Sequence, residues 1–150
     1  TMVIGIYVFY NLIYALCSFP IGILADKIGL KKIFIFGLFS FAMVYFGMSL
    51  SSNIYVITGL FFLYGIYAAA TEGISKAWIS NISNKKDTAT AIGTYASFQS
   101  ICAMIASSLA GLIWYNFGAN TTFIITGIAT LLVILYFSFT IKENTNLASN

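Results

Sequence analysis

The sequence predicts an all-α, polytopic membrane protein with five spanning helices, and three observations carry that prediction. Hydrophobic residues make up 60% of the chain and charged residues 7%, at a mean hydropathy of +0.94. A soluble domain carries about 25% charged residues. Turn signals and charges then divide the 150 residues into five apolar stretches, each near or above the roughly 20 residues a spanning helix needs. Finally, the lysines cluster at alternate breaks between those stretches.

The first stretch covers about 2–25 and holds the lone proline, Pro20, in its last turns. A kink is tolerated there if neighbours satisfy the freed carbonyl. A charged break, 26–31, leads to the second stretch at 32–50. Ser51-Ser52-Asn53 separates it from the third, 54–80, and Asn81–Asp87 precedes the fourth, 88–117, with Asp87 or Thr88 as its N-cap. Gly118 is placed to stop that helix, and Gly118-Ala119-Asn120 opens the fifth, 121–141. A polar tail, 142–150, follows. The first span has neither the basic leader nor the short length of a signal peptide.

Lys27, Lys31, Lys32, Lys85, Lys86 and Lys142 all lie at alternate connections, with Lys76 close to the same side, while 51–53 and 118–120 carry no charge. Under the positive-inside rule the breaks at 26–31 and 81–87 and the tail face the cytoplasm. The net charge of +3 is explained by these loops. No basic cluster exceeds two residues, so no nucleic-acid partner is implied. The chain has no His, and Cys17 and Cys102 sit in separate apolar spans, so neither a metal centre, a disulfide framework nor a cofactor is read.

Residues 22–32 read Gly-Ile-Leu-Ala-Asp-Lys-Ile-Gly-Leu-Lys-Lys. Gly22, Leu24, Ala25, Asp26, Lys27, Gly29 and Lys31 resemble the signature loop of the major facilitator superfamily of secondary transporters. Leu30 departs from it, in a place usually basic, with Lys32 beside it as a substitute. Tyr64-Gly-x-Tyr-x-x-x-Thr-Glu72-Gly-x-Ser-Lys76-Ala77, Thr88-Ala-x-x-x-Gly93-x-Tyr95 and Ala106-Ser-Ser-x-Ala-Gly111-Leu-x-Trp114 are similar to carboxyl-terminal halves of bacterial members. The fourth span also lacks the Gly-Pro pair common in antiporter amino-terminal halves. The resemblance implies a partial carboxyl-terminal transmembrane domain over 1–150. Its spans would be helices eight to twelve of twelve, lacking the amino-terminal half and the first helix of a six-helix half bundle. It further implies that the signature loop latches the two halves in the outward-open state, through Asp26.

Inside lipid, small residues mark helix interfaces. Gly65, Ala69, Gly73 and Ala77 form such a stripe on the third span, Ala103, Ala106, Ser107, Ala110 and Gly111 on the fourth, and Ala15, Ser18, Gly22 and Ala25 on the first. The second and fifth spans, rich in Phe, Ile, Leu and Val, read as outer, lipid-covered helices. Polar rows follow helical spacing: Tyr64, Tyr67, Thr71 and Ser75 on the third span, and Tyr7, Asn11, Tyr14 and Ser18 on the first. Either each row makes interhelical hydrogen bonds or it lines a substrate cavity. The candidate cavity residues are Asn11, Tyr14, Tyr64, Tyr67, Thr71 and Gln99.

Glu72 and Lys76 are the only charges deep in a predicted span, where a central charge costs roughly 2.5–3.5 kcal/mol. Their i, i+4 order favours mutual neutralisation. A structural ion pair and a role in gating or proton coupling both fit.

The reading is a secondary transporter of a small solute working by alternating access, with protons as the coupling ion the resemblance implies, set in the inner membrane of a bacterial cell. A five-helix membrane subunit with an assembly role is the alternative. An intramembrane hydrolase is disfavoured, because a Ser–His dyad needs a His and the acids are scattered.

Overall fold

The computed structural model describes residues 2–140, with side chains from Ile4 onward. Lys142 and the tail 142–150 lie outside the described residues. Helix α1 runs Met2–Ile28, α2 Leu30–Leu50, α3 Ile54–Ile82 and α4 Thr88–Thr140. All four are long and apolar enough to cross a membrane.

α4 is continuous except at Gly118, whose φ of 84° and ψ of 172° lie outside the helical region. That conformation is open essentially to glycine alone. Gly118, read from the sequence as a stop, is here a kink within one helix, and it divides α4 into limbs 88–117 and 119–140. The limbs return alongside each other. Trp114 meets Phe123 near the bend at 5.6 Å, and Tyr95 and Phe137 line one groove far from it. Where five spanning stretches are expected, the described residues form four helices, the fourth and fifth stretches being one helix bent at Gly118.

The expected loop at 26–31 shrinks to a single residue. Asp26 and Lys27 belong to the last turn of α1, and Lys31 and Lys32 to the first turn of α2. Only Gly29 leaves the helix, at φ 105°. Its N–H donates to the Ala25 carbonyl (2.9 Å) and its own carbonyl accepts from the Ile33 N–H (3.4 Å). Charges at a membrane face can ride on a helix end whose backbone groups stay bonded. The sequence marked the charge as the break, whereas the glycine makes it. At the start of α3 the Asn53 side chain caps the helix, accepting from Tyr55 N–H at 2.9 Å.

Side by side, the rods run α1, α3, α2, then the second limb of α4. This order corrects the expectation for α2, which is not an outer helix among the described residues: it lies between α3 and α4 and buries Ile33, Gly37, Ser40, Ala42 and Val44. Gly37 sits against Ala70 and Thr71, where a Cβ would lie 2.9 Å from each. Its Phe36, Phe39 and Met43 face outward and are half-exposed. The second limb of α4 packs on α2 through Gly127 under the Phe46 ring.

The first limb of α4 departs further from expectation. Ala103, Ala106, Ser107 and Gly111 are exposed, and so are Phe98, Met104, Leu109 and Leu112. No described helix covers that stripe. The buried hydroxyls are satisfied within their own helices: Ser40 donates to the Phe36 carbonyl (3.1 Å), Thr71 to Tyr67 (2.8 Å) and Thr130 to Thr126 (2.8 Å). Such back-bonding suits helices that have no water to draw on.

Candidate functional site: the α1–α3 cleft

α1 and α3 touch at one end and part at the other. At Gly65 an added Cβ would lie 2.8 Å from Ile13 Cγ2 and 3.1 Å from the Tyr10 carbonyl oxygen, so the backbones nearly meet. Two turns further, nothing stands within 4 Å of a Cβ at Gly73, and the same holds at Gly22 opposite. A cleft of about 320 Å³ opens between Ser18, Gly22 and Ala25 of α1 and Ala69, Gly73 and Ala77 of α3. Tyr14 lines it too, and so do Asp26 and Leu30 at the Gly29 elbow. The small residues of α3 meet α1 closely at Gly65, against Ile13 and Tyr10, which are not part of the small-residue stripe of α1. Beyond that point the stripes of both helices become the walls of the space.

Beside this cleft, which Glu72 does not line, the Tyr14 hydroxyl donates to Glu72 Oε2 at 3.1 Å. Glu72 is exposed, and so is Lys76 one turn later. Among the described residues no hydrogen bond or ion pair joins them, so the expected mutual neutralisation gives way to a bond between helices.

The remaining candidates divide. Tyr14, Gly22 and Asp26 line the cleft, whereas Asn11 turns its amide back to the Tyr7 carbonyl at 2.8 Å. Thr71 is buried against α2 and bonded within α3, so it lines nothing. Tyr64 and Tyr67 stack with each other at 5.4 Å, with Tyr10 of α1 at 5.2 Å from Tyr64 and Phe41 of α2 at 4.5 Å from Tyr67. Gln99 is exposed on the first limb of α4, away from the cleft. Lys27 is exposed at the elbow. Lys31 extends to the far end of α4, where its ammonium donates to the Ser138 carbonyl at 3.2 Å.

Sequence reading missed Tyr10 and Phe41 as members of this cluster. Tyr10 falls on the same face as Tyr7 and Tyr14 by helical spacing, so its signal was present. Phe41 gave none, being one of many phenylalanines.

The lysine-bearing ends come together. Phe34 packs on Trp78 at 6.3 Å and on Phe137 at 5.3 Å. Together with Ile82 and Tyr95 these residues border a second, mainly apolar groove of about 360 Å³. The elbow, the end of α3, the start of α4 and the end of its second limb therefore share one side. The uncharged turn at 51–53 and the Gly118 bend mark the other, where Tyr45 meets Phe123 at 5.9 Å.

The family model of the Major Facilitator Superfamily matches residues 1–149. Over 111 residues the chain is 36% identical to an uncharacterized MFS-type transporter of Methanocaldococcus jannaschii, covering 74% of this chain and 28% of that protein. It is 29% identical over 146 residues to an uncharacterized transporter of Buchnera aphidicola subsp. Schizaphis graminum, covering 97% of this chain and 36% of the relative. A counterpart from Buchnera aphidicola subsp. Acyrthosiphon pisum is 28% identical over 141 residues, 90% of this chain and 35% of its own. The chain thus spans about a third of the length of the curated relatives it matches. With the multi-pass helical fold, the Gly29 elbow and a family match over nearly every residue, the chain belongs to the Major Facilitator Superfamily.

Proposed function

We propose that these residues are the carboxyl-terminal part of a secondary active transporter, helices eight to twelve of twelve, which moves a small solute by alternating access. The lysine-bearing side is cytoplasmic under the positive-inside rule, in the inner membrane of the cell. The observation that carries the reading is the carboxylate of Glu72, held inside a spanning helix by the Tyr14 hydroxyl beside an open cleft. Intramembrane acids face protein or water and mark ion and substrate paths. Glu72 binds and releases the coupling proton, and Tyr14 keeps its carboxylate directed at α1. Asp26, exposed where the cleft opens at the elbow, contacts the opposite half of the full-length protein and favours one of its two conformations.

The test is solute uptake by the full-length protein in proteoliposomes under an imposed proton gradient. Glu72→Gln is expected to abolish gradient-driven uptake while leaving solute exchange measurable. Gradient-driven uptake at the unmodified rate in that variant would remove Glu72 from coupling.

A further inference from the structure

The second groove, on the lysine-bearing side, joins an apolar interior to a basic mouth. No charged residue lines it. Phe34 of α2 stands at its centre, with Trp78 of α3 at 6.3 Å and Phe137 of the second limb of α4 at 5.3 Å. At the deep end the Ser75 hydroxyl is turned away to the Thr71 carbonyl at 2.7 Å. Ile82 lies at the other end, so the groove reaches about 10 Å in from the end of α3. Tyr95 borders it from the first limb of α4.

The charges stand at the Ile82 end. Lys31 rests its ammonium on the Ser138 carbonyl at 3.2 Å, beside Phe137. Lys32 is exposed two residues before Phe34, and Lys85 and Lys86 are exposed in the turn that follows Ile82. Lys32, Lys85 and Lys86 have no hydrogen bond or ion pair among the described residues. Asp87 is the one acid of that turn, so the mouth is net positive. A neutral apolar guest would gain from the rings alone, and a small anion from the lysines alone. A spanning helix laid over the rings would leave the lysines unmatched at the membrane face. A lipid with an anionic head uses both: its methylenes are drawn to the apolar groove, and its head to a basic pocket between helix ends.

We propose that this groove binds an anionic phospholipid of the leaflet on the lysine-bearing side. One acyl chain lies along Trp78 and Phe137, and the phosphate sits between Lys32 and the Lys85–Lys86 turn. The lipid is not the transported solute. It fills the space between α3 and the two limbs of α4, and so braces the first limb against the rest. The inference rests on the membrane fold and stands apart from the transporter reading.

Quenching of Trp78 by brominated acyl chains tests it. The full-length protein is placed in phosphatidylcholine vesicles that carry a small fraction of brominated phosphatidylglycerol or brominated phosphatidylcholine. The Trp78 signal is the difference between the unmodified protein and Trp78→Phe. Brominated phosphatidylglycerol is expected to half-quench Trp78 at about one-fifth the content of brominated phosphatidylcholine, or lower. Trp114, half-exposed near the Gly118 bend on the bare side, should show no such preference. Glutamine at positions 32, 85 and 86 together is expected to erase the preference at Trp78, and arginine at the same three positions to keep it, so that loss in the glutamine variant reports charge and not misfolding. Equal quenching of Trp78 by both lipids, a preference that survives the glutamine changes or is lost with arginine, or a Trp78 that neither lipid reaches because protein covers it, overturns the proposal.

Discussion

Tyr14 and Glu72, 58 residues apart in sequence, are joined by a 3.1 Å hydrogen bond across the space between α1 and α3. The bond stands between the place where the two helices touch, at Gly65, and the place where they part, at Gly22 and Gly73. Any change in the separation of α1 and α3 must lengthen or break it.

Removing that hydroxyl should therefore slow the protein without disabling its chemistry. Tyr14→Phe is expected to reduce gradient-driven uptake several-fold in proteoliposomes, and Glu72→Gln to abolish it. Because both changes strike one bond, the double variant should behave as Glu72→Gln alone. Uptake by Tyr14→Phe at the unmodified rate would mean that the hydroxyl does not serve Glu72.

Asp26 is exposed at the elbow, on the last turn of α1, one turn before Gly29. Asp26→Asn is expected to slow transport by the full-length protein while leaving membrane insertion and yield unchanged. Transport at the normal rate would remove its part in switching between conformations.

The two glycines of the α3 stripe should respond oppositely to the same change. Gly65→Ala sets a methyl 2.8 Å from Ile13 Cγ2 and 3.1 Å from a backbone oxygen of α1. Overpacking of this kind costs about 1–3 kcal/mol. Gly73→Ala meets nothing within 4 Å, so its effect should stay within about 0.5 kcal/mol. Thermal unfolding in detergent, followed by circular dichroism, distinguishes the two. Equal loss in both would contradict the splayed arrangement.

Gly118 holds the bend of α4 at φ 84°. An alanine there is strained by about 1–3 kcal/mol, although the surrounding space is open. Gly118→Ala is expected to lower the unfolding temperature more than Gly111→Ala, a change at a helical glycine with equal room. A Gly118→Ala variant as stable as the unmodified protein would show that the bend does not depend on glycine.

The side assignment is open to labelling. With Cys17 and Cys102 replaced by serine, cysteines introduced at Ile28 and Asn84 should react with an impermeant maleimide only from the cytoplasm, and one at Asn53 only from outside. Reaction of the Ile28 and Asn84 variants from outside, or from opposite faces, would overturn the topology.

What the sequence determined by itself was the membrane habit of the chain and the ends of its rods. Apolar runs of spanning length leave the backbone no partner but itself, so helices are obligatory, and Gly29 and Gly118 supply the breaks that other residues resist. The alternation of lysine-bearing and bare turns sorted those ends into two sets, and the fold brings each set together. Tertiary structure alone decided what the small-residue stripes do. A small residue every fourth position permits close approach of two helices but does not compel it: how the axes diverge decides whether Gly65 is a contact and Gly73 a wall. The polar rows were ambiguous for a related reason. A Ser, Thr or Asn in a helix can satisfy itself on the carbonyl one turn back, as Asn11, Ser18 and Thr71 do. Glu72 carries no donor when ionised, so it had to find one elsewhere, and only the placement of α1 beside α3 made that donor Tyr14.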